Sequence, residues 1–164
     1  MTTSSREQAR REIHRMKSAV DSTYQRYRDS YTTVPINVQQ DLHLYLCVRF
    51  SGYLEQLLHM AICAYVSDTS GPVAKTFALS WFKNAPNLNP GAFEKLIGRL
   101  SDAWTEELKE FLDKDANRDL LGTLLKIRND TAHGKSYGGG LANIKSYKEL
   151  IDNIHQWVHQ RLID

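Results

Sequence analysis

The chain of 164 residues reads as an all-α protein, a single-domain helical bundle of about five to six helices. Three observations lead there. Apolar residues recur at three- and four-residue steps along the whole sequence, the period of helices with one buried face. No alternating apolar and polar run survives beyond four residues, so nothing reads as a strand. The length suits one domain, and no repeat, low-complexity tract or linker divides it. Within residues 1–164 the reading separates an N-terminal amphipathic helix and linker over 1–37 from a core bundle over 38–164.

From Glu7 to Arg28 the stripe is Ala9, Ile13, Met16, Val20, Tyr24 and Tyr27. Arg10, Arg11, Arg15 and Lys17 lie off it, which predicts a basic outer face. Tyr31–Pro35 breaks the pattern. The second helix is predicted over Val38–Val66, with Leu42, Leu46, Phe50, Tyr53, Leu57, Ala61 and Tyr65 in line and Leu54, Leu58 and Ile62 widening the stripe. So apolar a helix must be covered on most sides. Ser67–Pro72 ends it. A third is predicted over Pro72–Lys83, with proline in the first turn, where its missing N–H costs nothing. Asn89 caps a fourth that opens at Pro90, and Ser101 caps its continuation through Leu112. The fifth begins near Asp115 or Asn117, buries Leu120, Leu121, Leu124, Leu125 and Ile127, and stops at His133 or Gly134, glycine being the common terminator. Lys135–Gly140 is predicted as a flexible loop. Ser146 with Glu149 has the spacing of a capping box and is predicted to start the last helix, whose core face is Leu150, Ile151, Ile154, Trp157, Val158 and Leu162.

Composition excludes some classes. With 41% hydrophobic and 24% charged residues, the chain is neither disordered nor fibrous. Its net charge of +2 selects no partner, but the charge is uneven. Residues 1–31 carry a net +3, residues 101–119 a net −4 and residues 120–148 a net +4. Basic segments attract phosphates, though a solvated surface explains the same charges. Cys47 and Cys63 stand sixteen residues apart in one predicted helix, about 24 Å along its axis, so they cannot pair. They read as buried thiols of a reducing, cytoplasmic setting. The N-terminus has no apolar run and is predicted to be no signal peptide. Only Arg49 and Glu55 are charged within Leu42–Val66, yet no uncharged run reaches the ~18 residues of a spanning helix. No membrane association is expected.

The chemistry gathers in Leu124-Leu-Lys-Ile-Arg-Asn-Asp-Thr-Ala-His-Gly134, where a core-facing run turns polar just before its helix stops. Asn129 and His133 are four apart and share a face. Arg128 is five from His133, about 140° round the axis, and its long side chain can reach over the difference. The three can converge on one anionic group. Cleaving RNA through its own 2′-OH needs a base for that proton and an acid for the departing 5′-oxygen, and histidine serves either role near neutral pH. The phosphorane's added charge needs a fixed cation, which a bidentate guanidinium supplies. The negative end of a helix dipole favours imidazolium, which assigns His133 the acid's part at some stage. Composition and spacing alone favour a plainer reading, a helix cap with a surface ion pair to Asp130.

Arg128-Asn-Asp-Thr-Ala-His133 resembles the R-x(4–6)-H signature of the HEPN superfamily, with the common polar residue straight after the arginine. The placement also matches: late in the chain, at the end of a core helix, with one long helix to follow. Arg49-Phe-Ser-Gly-Tyr-Leu-Glu-Gln-Leu-Leu58 looks like the family's first core helix, in the branch found beside RNase toxins and phage defence. The resemblance spans roughly Gln39–Ile163. It implies an HEPN-like bundle that forms a homodimer with a composite active site in the cleft between two copies. It implies metal-independent endoribonuclease activity on an RNA substrate, no cofactor, 2′,3′-cyclic phosphate and 5′-OH ends, and a toxin or antiviral role with an inhibitor or sensor protein as partner. By position, Arg128 and His133 become the catalytic pair and Asn129 a supporting residue. Related branches often carry an acid where Ser51 stands. Here Glu55, one turn on, is the candidate support, because a charge on so apolar a helix needs a partner such as Arg128 or Arg49. Lys126, Lys135 and Tyr137 are candidate RNA contacts. The alternative is a catalytically silent HEPN module that dimerises or recruits a partner; the intact Arg/His pair speaks for activity.

Other motifs carry less. Gly134-Lys135-Ser136 mimics the end of a P-loop but lacks the glycine at position 129 and a preceding strand. His155 and His159 have a zinc-compatible spacing without a third ligand, so no metal is expected. His43 and His59 read as satisfied core or interface residues. Trp81, Trp104 and Trp157 read as core packing.

Overall fold

A computed structural model describes residues 4–86, 88–135 and 139–164. Among these are seven α-helices and no strand: α1 (Ser5–Ser30), α2 (Ile36–Thr69), α3 (Pro72–Ser80), α4 (Pro90–Gly98), α5 (Asp102–Asp113), α6 (Asn117–Ala132) and α7 (Leu141–Val158). A 3₁₀ turn follows α1, and a π turn at His159–Ile163 extends α7.

The all-α class stands; the helix count exceeds the expected five to six. The extra helix arises at Ser101. The backbone there is extended and its hydroxyl accepts the Trp104 N–H, so α5 starts as a new helix instead of continuing α4. Two further expectations are corrected. The third helix ends at Ser80, not Lys83, where Trp81 turns its N–H back to Ala78 and Leu79. The last helix starts at Leu141, five residues before Ser146. Asn143 accepts the Gly140 N–H at 3.1 Å, whereas the Ser146 hydroxyl bonds back to Ala142 O inside the helix and Glu149 pairs with Lys145.

Helix α2 is the axis of the fold, packed by α1, α6 and α7. Leu46, Phe50, Leu54, Leu57, Leu58, Ala61 and Ile62 are all at most 1% exposed. That coverage on three sides explains why its apolar residues spread so far round the axis. Helix α1 lies antiparallel along it. At one end Asp68 accepts the Ser5 and Arg6 N–H groups at 3.1 and 3.0 Å, docking the start of α1 on the end of α2. At the other, the Tyr27 hydroxyl meets His43 Nε2, and His43 Nδ1 lies 2.7 Å from Gly139 O. A carbonyl requires a donor, so Nδ1 carries the proton and Nε2 accepts from Tyr27. The cysteines share α2 as predicted and both are free; burial pushes the Cys47 thiol up to about 12.

Side chains depart from the predicted pattern in three places. Lys17, expected on the basic outer face, sits between α1 and α7. It bonds Asp21 at 2.7 Å and Asp152 at 2.9 Å, while Lys148 bonds the same two carboxylates at 3.0 and 2.6 Å. Burial opposes the Asp21 charge, but the two lysines outweigh it and hold the carboxyl below its ordinary range. Trp81 is 67% exposed rather than core, because α3 has no second layer over it; Trp104 and Trp157 do pack against the core. His43 is satisfied, but His59 Nδ1 is buried without a hydrogen-bond partner among the described residues.

His43 and His155 are both pushed below the ordinary histidine value of 6.5, mainly by burial. Each binds its proton more weakly folded than unfolded, so stability is intact above pH 6.5 and declines as pH falls through the folded values. The urea midpoint should drop between pH 7.5 and pH 5.5; a flat midpoint would contradict the neutral, buried rings.

Candidate functional site

Helix α6 carries the polar motif because its two ends differ. Leu121, Leu124, Leu125 and Ile127 are buried and fix the helix against α2. Its last turn then runs past the core into solvent. Gly134 closes it at φ +72°, the left-handed conformation that glycine adopts without strain, and the Gly134 and Lys135 N–H groups return to Thr131 O and Asp130 O. The predicted stop at His133 or Gly134 is the observed one.

Arg128 crosses from α6 to α2, where Nη2 bonds Glu55 Oε2 at 3.0 Å. Its Nη1 lies 3.4 Å from Asn129 Oδ1, a long contact. Glu55 is 8% exposed. Burial raises its carboxyl above the usual range, and the Arg128 guanidinium offsets only part of that. A guanidinium has five N–H donors; Glu55 and Asn129 occupy two, and the side chain is 35% exposed. The remaining donors can fork onto a phosphate.

Asp130 does not take Arg128. It binds Lys126 and, at 3.1 Å, Lys135, and these two lysines hold its carboxyl below the ordinary range. The surface ion pair that spacing alone favoured therefore exists with the lysines, and the arginine is directed inward to the buried acid. Both lysine side chains remain largely exposed, at 74% and 66%.

His133 caps α6 through its backbone N–H to Asp130 O at 3.1 Å. Its side chain is exposed and makes no hydrogen bond to a described residue. The structure thus joins Arg128, Asn129 and Glu55, sets Lys126 and Lys135 around Asp130, and leaves the His133 imidazole free one turn beyond Asn129. Tyr137 lies outside the described residues.

Of the two partners weighed for Glu55 from the sequence, Arg128 is the one found. Arg49 is exposed on another face of α2. The Lys17–Asp21–Lys148–Asp152 cluster has a sequence signal in two i,i+4 Lys/Asp pairs, but their spacing does not say that the two helices meet there. His155 is held by the Tyr53 hydroxyl at 2.6 Å and His159 faces Asp164 at 3.1 Å. Among the described residues no group of three or more His, Cys, Asp or Glu side chains is placed to hold a metal ion, and no helix is long and apolar enough to cross a membrane.

The model of the RiboL-PSP-HEPN family matches residues 8–160. The match begins inside α1, before Gln39, where the resemblance read from the sequence starts. No curated protein and no solved structure matches the chain. An all-helical bundle with an Arg-to-His motif at the end of a core helix, matched by that model along nearly its whole length, is an HEPN-superfamily domain: the chain belongs to the RiboL-PSP-HEPN family.

Proposed function

We propose that this chain is a metal-independent endoribonuclease, with Arg128 and His133 acting on one phosphodiester. The observation that carries the reading is the inward anchoring of Arg128 on Glu55 at 3.0 Å, with an exposed imidazole at the end of the same helix that bonds to no described residue. A preorganised guanidinium stabilises charge that develops in the transition state without reorganising at that moment. Glu55 is the positioning residue: it holds one edge of the fork and leaves the others for the phosphate. Asn129 steadies the second terminal nitrogen and orients phosphate or ribose. His133, which bonds to no described residue through its ring, exchanges the proton with the attacking 2′-OH or the departing 5′-oxygen. The superfamily's habit of pairing supports a homodimer whose two motifs share a cleft, and its commonest settings support a toxin or antiviral role with an inhibitor or sensor protein. Lys126, Lys135 and Tyr137 are proposed to contact RNA beside the cut.

The experiment is cleavage of mixed RNAs by the purified chain in excess EDTA. Cutting is expected. RNA that stays intact in EDTA but is cut once Mg²⁺ is supplied overturns the metal-independent reading. RNA inert under both conditions replaces it with the silent, partner-binding module.

A further inference from the structure

A groove of about 420 Å³ runs between α1 and α2, on the outward side of α2 and apart from the Arg128 motif. A volume of that order falls in the range of ligand sites. Met16, Ala19, Val20 and Val48 give it apolar walls, and the exposed Arg15 and Arg49 also line it. The two arginines differ. Glu12 binds the Arg15 guanidinium, which neutralises it. Arg49 is exposed and makes no hydrogen bond or ion pair to a described residue. One turn before it on the same side of α2, Tyr45 is 51% exposed and also has no partner among the described residues.

Helix α2 carries both the groove's Arg49 and the motif's Glu55. Arg49, Gly52 and Glu55 follow one another at three-residue steps, each about 60° round and about 4.5 Å along a helix. Gly52 lines the groove, and a Cβ placed there would meet nothing within 4 Å. No side chain at Gly52 therefore stands between Arg49 and Glu55 along this row of the helix. An unpaired cation, an exposed ring one turn away and an apolar trough are the parts with which proteins hold a single strand: charge for the backbone and flat apolar surface for the bases. We infer that the α1/α2 groove seats the single-stranded RNA flanking the cleaved phosphodiester, with Arg49 on a phosphate and Tyr45 against a base. This rests on the nuclease reading for its direction toward Arg128.

The probe is a fluorescein-labelled 2′-O-methyl oligoribonucleotide of mixed sequence, which cannot cleave itself, titrated with full-length chain by anisotropy over a range of salt. Arg49→Glu should weaken binding about tenfold or more and lower the slope of log affinity against log salt by roughly one contact. Tyr45→Ala should weaken binding severalfold with the slope unchanged. Lys83→Glu, an equal charge change at an exposed site after α3, should change neither. Unchanged affinity in Arg49→Glu overturns the proposal, as does an equal loss in Lys83→Glu, or a change of oligomeric mass in Arg49→Glu with RNA affinity intact. The two readings fail separately. A wild type that cuts no RNA but binds the probe through Arg49 removes the nuclease and keeps the groove; a wild type that cuts RNA, with an Arg49→Glu variant that binds as before, does the reverse.

Discussion

Replacing Arg128 or His133 with alanine should lower the rate of RNA cleavage by about 10²–10⁴-fold, the usual weight of a positioned proton donor or a fixed oxyanion donor. The two variants should differ in stability. His133 is exposed, and among the described residues it is bonded only through its backbone, so His133→Ala should stay within about 0.5 kcal/mol of wild type. Arg128→Ala leaves Glu55, 8% exposed, without its cation, and should cost about 1–2 kcal/mol. Arg128→Lys keeps the charge but loses the planar fork and should fall between wild type and alanine. Glu55→Gln should also be intermediate, because it loosens the arginine without removing it. Single-turnover rates beside urea midpoints separate these effects. A His133→Ala variant as active as wild type would remove the histidine from the reaction.

The largest loss of stability is expected away from the motif. Phe50 is wholly buried on α2, with its ring 6.3 Å from that of Tyr24 on α1. Phe50→Ala should cost about 3–5 kcal/mol, since it removes apolar area and leaves a cavity that rigid neighbouring helices cannot close. Urea unfolding should show a lower midpoint with little change of slope. The folded fraction should still cleave RNA, because Phe50 packs its ring toward Tyr24 of α1 and is no part of the motif. A loss below about 1 kcal/mol would mean that α1 repacks freely on α2, against the burial of Ile13, Val20 and Tyr27 along the same seam.

The elements legible in the sequence were those set by one strong local signal. The apolar stripe of α2 and the leucine face of α6 follow from burial, and Gly134 ends α6 for the reason its residue type predicts: φ +72° suits glycine. Of the site, the buried pairing of Arg128 with Glu55 was legible because a carboxyl on so apolar a surface demands a partner. What stayed hidden depends on neighbours. The same Ser-x-x-Glu spacing sits in the interior of α7, because Gly140 and Asn143 cap the helix a turn and a half earlier. Trp81 has a core residue's composition, yet α3 leaves it uncovered at 67%. Lys17 looked like one more basic surface residue until α7 brought Asp152 to 2.9 Å from it. Periodicity shows which face of a helix is apolar, but not which polar residues a second helix will cover.

Arg128 and His133 are proposed to serve an attack by the substrate's own 2′-hydroxyl. The direct measurement uses an RNA the chain cuts, compared with the same strand carrying a single 2′-deoxynucleotide on the 5′ side of the cut. Cleavage at that bond should disappear while the all-ribose strand yields a 2′,3′-cyclic phosphate and a 5′-OH. Cutting of the deoxy strand at the same bond and a similar rate would place the attack on water, and would contradict the mechanism.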